Sequence, residues 1–484
     1  MTEASSSSRA SGLAASTAEI DVSCRLPLLV LFISAAIWLV MASVFGLIAS
    51  LKFHSPQFLA ECPGLTYGRV RPAFTNSLLY GFCVQAGLGV ALWLIARLGQ
   101  TTLAHRWLVS VGAKVWNLGV TVGVIGILFG DSTGFENLEL PPYASVLCFL
   151  GYLLIGLWGV VTFHQRRERI LFASQWFLFA AVFWFPWIFS TANLLLVTFP
   201  VRGMTQAVIA WWYSNNLLFV WLSLVGLAAV FYFVPKLTNR ELHSHYLALF
   251  TFWSLILFAS WGGIPNTAAV PAWMPALSTV AIVLTLVPLL AVALNVFQTL
   301  KSPGSNAPRD PSLSFVLFGV GAFVLAGLMN IGGALDSTRQ LHFTWFVAAR
   351  TQLHLYGFFV MVMFGAIYYI FPKFSGVEFP YPKLVRVHFW LAALGILAYA
   401  LPLAIGGILQ SVQLQDAKIS PVQMVQSSLP FLRASTTGDL LLFAGHLAFL
   451  GNVAGLVTRF YRARVTAVYS VATADLFKSA EAKS

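Results

Sequence analysis

Charge is what this 484-residue chain has least of: Asp, Glu, Lys and Arg make up 9% of it, while hydrophobic residues make up 58%. Ordinary globular domains carry about 25% charged residues, so this balance excludes a soluble domain and marks an integral membrane protein. The net charge of +12 does not point to nucleic acid, because the basic residues sit in short loops between apolar runs, where they set topology. Cysteine is scarce too. Cys24, Cys62, Cys83 and Cys148 form no C-x-x-C and no C-x-x-C-H, which argues against a zinc ribbon and covalent c-type haem. The opening MTEASSSSRASGLAASTAEI lacks an apolar signal-peptide core, and the apolar run behind it is long enough to span a bilayer. Residues 1–26 therefore read as a disordered cytoplasmic tail.

Apolar length is what the chain has in excess. A span needs about 20 mostly apolar residues. Twelve candidates centre on 28–50, 75–97, 108–130, 143–163, 171–198, 206–234, 246–263, 275–298, 313–335, 343–371, 388–406 and 438–460. The expected fold is an all-α polytopic membrane bundle of twelve helices over 27–462, with a cytoplasmic tail over 463–484. Nineteen Lys and Arg fall in the tails and in the loops after even-numbered spans, against seven in the opposite loops. The positive-inside rule then puts both termini in the cytoplasm, in a bacterial-type inner membrane. The longest connection, 407–435, is polar and suits a short surface helix.

Four segments carry chemistry: GRVRPAFTN (68–76), WWYSNN (211–216) with its VPK exit (234–236), FWSLILFASWGG (252–263), and HFTWFVAARTQLHLYGFFVMVMFGAIYYIFPKF (342–374). Together they resemble spans two, six, seven and ten of haem-copper oxidase subunit I, in particular the C-family, cbb3-type cytochrome c oxidases. Nitric oxide reductases belong to the same superfamily. The resemblance covers residues 28–460 and implies a twelve-helix subunit I shell. In that family six histidines hold two haems and a copper ion, beside a span-seven tyrosine.

With no gaps against those flanks, every such position is changed. Phe74 stands at the low-spin haem ligand of span two and Asn215 at the copper ligand of span six. Ala259 stands at the tyrosine, and Pro265 and Asn266 at the paired copper ligands. Arg350 and Gln352 stand at the high-spin and low-spin haem ligands of span ten. Phe, Pro and Ala offer no side-chain lone pair, and Arg is a permanent cation. Of nine histidines, five (His105, His164, His243, His245, His388) read as lying in or beside cytoplasmic loops, and His54 and His342 at the outer surface. Only His354 and His446 fall inside spans. His354, one turn beyond Arg350, is the weak haem candidate, with a hydrogen-bonded core histidine as the favoured reading. Asn215, Asn216, Asn266 and Gln352 are expected to bond around one former metal cavity. Arg350 is expected in an internal pair or carbonyl cluster, with an anion site as the sharper alternative. Lys114 reads as a second buried cation, or one that snorkels to the interface.

These residues imply a metal-depleted subunit, with no haem, copper or other metal expected, acting as a structural or docking component of a respiratory electron-transfer complex. The implied partners are membrane-anchored c-type cytochrome subunits, a ligand-complete paralogue of this chain, and lipids, with no nucleic acid. The outer loops 51–73, 131–142 and 407–435 are the candidate docking segments. Two alternatives stay open: an active terminal oxidase or nitric oxide reductase with unusual ligands, in which haem would be retained, and a transporter using the emptied core.

Overall fold

A computed structural model describes residues 2–168, 170–302 and 310–481. Lipid cannot hydrogen-bond the backbone, so a chain this apolar must satisfy its amides within helices. Among the described residues twelve helices do so: α1 (Thr2–His54), α2 (Tyr67–Leu98), α3 (Arg106–Phe129), α4 (Pro142–His164), α5 (Ala173–Thr198), α6 (Met204–Thr238), α7 (His245–Ala259), α8 (Trp273–Lys301), α9 (Pro311–Ala334), α10 (Trp345–Ser375), α11 (Pro382–Gln413) and α12 (Pro421–Glu481). Eleven are long and apolar enough to cross a membrane. The twelfth, α7, has 15 residues and stops where Gly262-Gly263-Ile264-Pro265 breaks the pattern, Gly263 adopting φ +106°.

The α1 end bonds to the start of α12: Ser50 Oγ lies 2.7 Å from Thr436 Oγ1, and His54 Nε2 lies 3.1 Å from it. These helices are antiparallel, so both termini share one end of the bundle. α2, α6 and α10 are the most enclosed spans, and they are the ones carrying Phe74, Asn215 and Arg350. Each contains a π-helical segment: Ser77–Cys83, Asn216–Trp221 and Leu353–Val360, with a further one at Asn193–Thr198 in α5. Such wide turns concentrate at functional positions. Here they begin within three residues of Phe74 and directly after Asn215 and Gln352.

Several expectations need correction. Residues 17–26 are packed helix rather than tail. Ile20 and Cys24 are buried, and Asp21 accepts from Trp93 Nε1 at 2.9 Å and pairs with Arg97 at 3.1 Å. The Ser/Ala-rich composition looked like a tail, but Ala is the best helix former and Asp21 supplies the anchor. Helix α12 continues through 463–481, and residues 482–484 lie outside the described residues, as do Arg169 and Arg309. Segment 407–435 forms no separate surface helix. It is the continuation of α11 and α12, joined by a turn near 414–420. Lys114 is exposed, in keeping with the snorkelling reading rather than a buried cation. Gly407 sits at a close approach: an added Cβ would lie 2.2 Å from the Phe346 backbone nitrogen of α10, whereas Gly332 faces open space.

Candidate functional site

The two positions assigned to one haem do meet. Phe74 of α2 and Gln352 of α10 line the same cavity, with Tyr356 and His446, and its volume is about 30 Å³. That is room for about one water. Phe74 helps close it by lying on Gly46 of α1, where an added Cβ would stand 3.0 Å from the ring. The Arg71 guanidinium sits 5.3 Å from the Phe74 ring centroid, a cation–π contact. On the far wall the Tyr356 hydroxyl is 2.6 Å from His446 Nε2, and Ser43 Oγ bonds to His446 Nδ1. Both ring nitrogens of His446 are thus engaged.

At the copper position of α6, Asn215 donates from Nδ2 to the Ala259 carbonyl at 2.8 Å. Asn216 donates to the carbonyls of Trp212 at 2.9 Å and Ser260 at 3.1 Å, and accepts from Trp184 Nε1 at 3.2 Å. These amides cap carbonyls that the end of α7 leaves open. Beyond Pro265, Asn266 donates to the Ala334 carbonyl at 2.8 Å and to Asp336 Oδ1 at 3.0 Å, and accepts from Thr279 at 2.6 Å. It clasps the end of α9. The four amides therefore do not ring one cavity. Asn215 and Asn266 border a larger one, Gln352 the small one, and Asn216 bonds toward Trp184.

His354 is buried among Phe219, Phe323 and Phe358. Its Nε2 lies 3.1 Å from the Leu218 carbonyl and 3.4 Å from Ser223 Oγ. It borders a cavity of about 40 Å³ shared with Asn215 and Ala259. Its Nδ1 is buried without a partner, but among the described residues no three His, Cys, Asp or Glu side chains gather as a metal site. His388, read as a loop residue, is buried inside α11 with Nδ1 3.0 Å from the Tyr368 hydroxyl. The helix begins at Pro382, earlier than the apolar run suggests.

Arg350 has no internal pair among the described residues. It lines a cavity of about 450 Å³ at the end opposite the termini, with its Nε buried and unpartnered and its guanidinium 5.7 Å from the Phe219 ring centroid. The donor set at Phe74, Asn215, Ala259, Pro265, Asn266, Arg350 and Gln352 contains no imidazole or thiolate, the ligands that suit iron and copper. With no such ligand at any of the seven positions, this set does not fit two haems and a copper ion.

Residues 27–441 match the family described as Cytochrome C and Quinol oxidase polypeptide I. The chain belongs to that family. The cbb3-type cytochrome c oxidase subunit CcoN1 of Stutzerimonas stutzeri is 24% identical over 436 residues, covering 87% of this chain and 92% of the relative. A cytochrome c oxidase subunit 1 homolog of Agrobacterium tumefaciens (strain T37) is 26% identical over 440 residues, covering 86% of this chain and 80% of the relative. A solved haem-copper terminal oxidase dimer shares the fold, with a TM-score of 0.65 at 15% identity over 90% of this chain and 84% of that one.

Within this oxidase subunit I bundle, sequence reasoning missed two acids. Asp439 lines the small cavity and a neighbouring one of about 20 Å³ beside Arg71 and Tyr399. An acid inside an apolar run is the signal that could have found it. Glu139 lies in the loop between α3 and α4, a candidate docking segment. Its second half turns inward, burying residues 137–140, with Glu139 Oε2 accepting from Asn76 Nδ2 at 2.9 Å. The apolar alternation of Asn-Leu-Glu-Leu was the cue.

Burial pushes the Glu139 carboxyl up from 4.5 to about 7, against a smaller opposing effect of the Asn76 bond. The folded state then holds a proton that the unfolded state has lost, so stability contributed here falls as pH rises from 4.5 to 7. Glu139→Gln is expected to flatten that decline and to raise stability at pH 8 by up to about 3 kcal/mol. Thermal melts of both proteins from pH 4.5 to 8 would show it; parallel curves would contradict it.

Proposed function

We propose that this cytochrome c oxidase subunit I-like membrane protein carries neither haem nor copper, and serves as a structural and docking subunit of a respiratory complex. The observation that carries this reading is the water-sized cavity where Phe74 and Gln352 meet, about 30 Å³ in place of a haem slot. A shell that keeps its helices after losing its ligands is retained for its contacts. Helix α11 offers one surface for them. Its 32 residues reach about 48 Å at 1.5 Å per residue, beyond a hydrocarbon core of about 30 Å. Its tip and the start of α12 expose Ile408, Leu409, Val412, Val422 and Val425. Exposed apolar clusters of this kind mark interaction sites. The partners proposed are membrane-anchored c-type cytochromes, together with a ligand-complete paralogue, at the outer side of an inner membrane whose cytoplasmic side holds both termini.

Gentle detergent extraction followed by mass spectrometry is expected to recover c-type cytochromes or oxidase subunits at fixed stoichiometry. The chain stripped of partners is expected to give no pyridine haemochrome and no stoichiometric copper. One or two haems per isolated polypeptide would restore the oxidase reading. A chain that runs alone and moves a solute in reconstituted vesicles would make it a transporter.

A further inference from the structure

The cavity at the end opposite the termini is a built space in which, among the described residues, the Arg350 cation makes no ion pair. Arg350 points its guanidinium along a wall that Gly333 leaves open, where an added Cβ would stand 3.6 Å from Nη1. Its buried Nε meets no acceptor, and the one ion pair among the described residues is Arg97 with Asp21, elsewhere. Arg339 and His342 stand on the same wall, and Glu136 is the one acid lining the cavity. Glu136 acts on Arg350 only through space. Burial and the Arg350 charge hold the His342 imidazole below its ordinary range, which keeps it neutral near pH 7. Two guanidiniums against one carboxylate leave the cavity net positive. Asn266 and Asn330 add amide groups.

An unpaired guanidinium in a protein wall is costly, because it has left water without a compensating partner. Its planar fork matches a carboxylate or phosphate with two parallel hydrogen bonds. A volume of about 450 Å³ lies in the range of small-molecule sites.

We propose that this cavity binds a small oxyanion, a carboxylate or phosphate group, whose charge is held by Arg350 with support from Arg339. The inference rests on the reading that no haem iron stands at Arg350. A haem assay on the same sample therefore separates failure of that reading from failure of the site.

The test uses the full chain in detergent free of anionic lipid. Inorganic phosphate and acetate are titrated against chloride at matched ionic strength, and unfolding is followed by tryptophan fluorescence. The wild type is expected to show a saturable rise in melting temperature of a few degrees, as ligand linkage requires. Arg350→Gln is expected to abolish the rise while melting at or above wild type in chloride. Arg339→Gln is expected to weaken the apparent affinity several-fold. A parallel arm in nanodiscs compares phosphatidylglycerol with phosphatidylcholine. An Arg350-dependent rise with phosphatidylglycerol and none with free phosphate would identify a lipid headgroup as the source. No anion response in any arm, or an equal response in Arg350→Gln, would overturn the site. Arg350→Gln melting below wild type in every buffer would make Arg350 a structural residue and overturn it as well.

Discussion

Gly407→Leu leaves little folded protein in the membrane. The Cβ that any substitution adds would lie 2.2 Å from the backbone nitrogen of Phe346 and 2.8 Å from its Cα. No rotamer relieves a clash with backbone, so α10 and α11 would have to separate. Overpacking that side chains can absorb costs about 1–3 kcal/mol. Moving a helix that carries Arg350, Gln352 and His354 costs more, against a total stability of about 5–15 kcal/mol. Gly332→Leu is the control, since nothing lies within 4 Å of an added Cβ there. Fluorescence-detected size exclusion of detergent extracts should show wild-type yield for the control and aggregation for Gly407→Leu. Equal monodisperse yields would mean that α10 and α11 do not pack as described.

The second large effect is expected at His446. Replacing it with Leu strips the Tyr356 hydroxyl of its hydrogen-bond partner at 2.6 Å. Ser43 keeps a bond to the Leu39 carbonyl at 2.9 Å, so Tyr356 bears most of the loss. A buried hydroxyl left unsatisfied costs about 1–3 kcal/mol. His446→Leu should therefore lower the melting temperature, and adding Tyr356→Phe should recover most of it, because removing both partners is nearly neutral. A double variant no more stable than His446→Leu would refute the pairing. Loss of a haem absorbance band in His446→Leu would instead make the histidine an iron ligand.

The bundle was legible because span length is a physical quantity: apolar runs long enough to cross lipid had to be helices, although the seventh run, 246–263, is helix only as far as Ala259. Ends were harder to read. Asp21 makes packed helix of what composition presents as tail, and Pro382 carries His388 into the interior. The site was legible as a set of positions, since the registers of α2 and α10 place Phe74 and Gln352 together. The part played by Gly46, in another helix under the Phe74 ring, was not. Glu139 escaped notice because a loop acid is ordinarily solvated, and the leucines on either side of it were too weak a cue against that prior.

The π-helical segments also constrain how this chain can change. Such a turn closes i to i+5 bonds and so holds one more residue than an α turn, which swings everything beyond it by about 100°. Past Leu353–Val360, Phe364 and Tyr368 depend on that phase to face inward, where both are buried. Removing a single residue from the segment would let the helix revert to α and turn its remaining half toward lipid. The positions beside these segments can exchange one side chain for another, as Gln352 and Asn215 illustrate, but the helices do not tolerate a codon deleted.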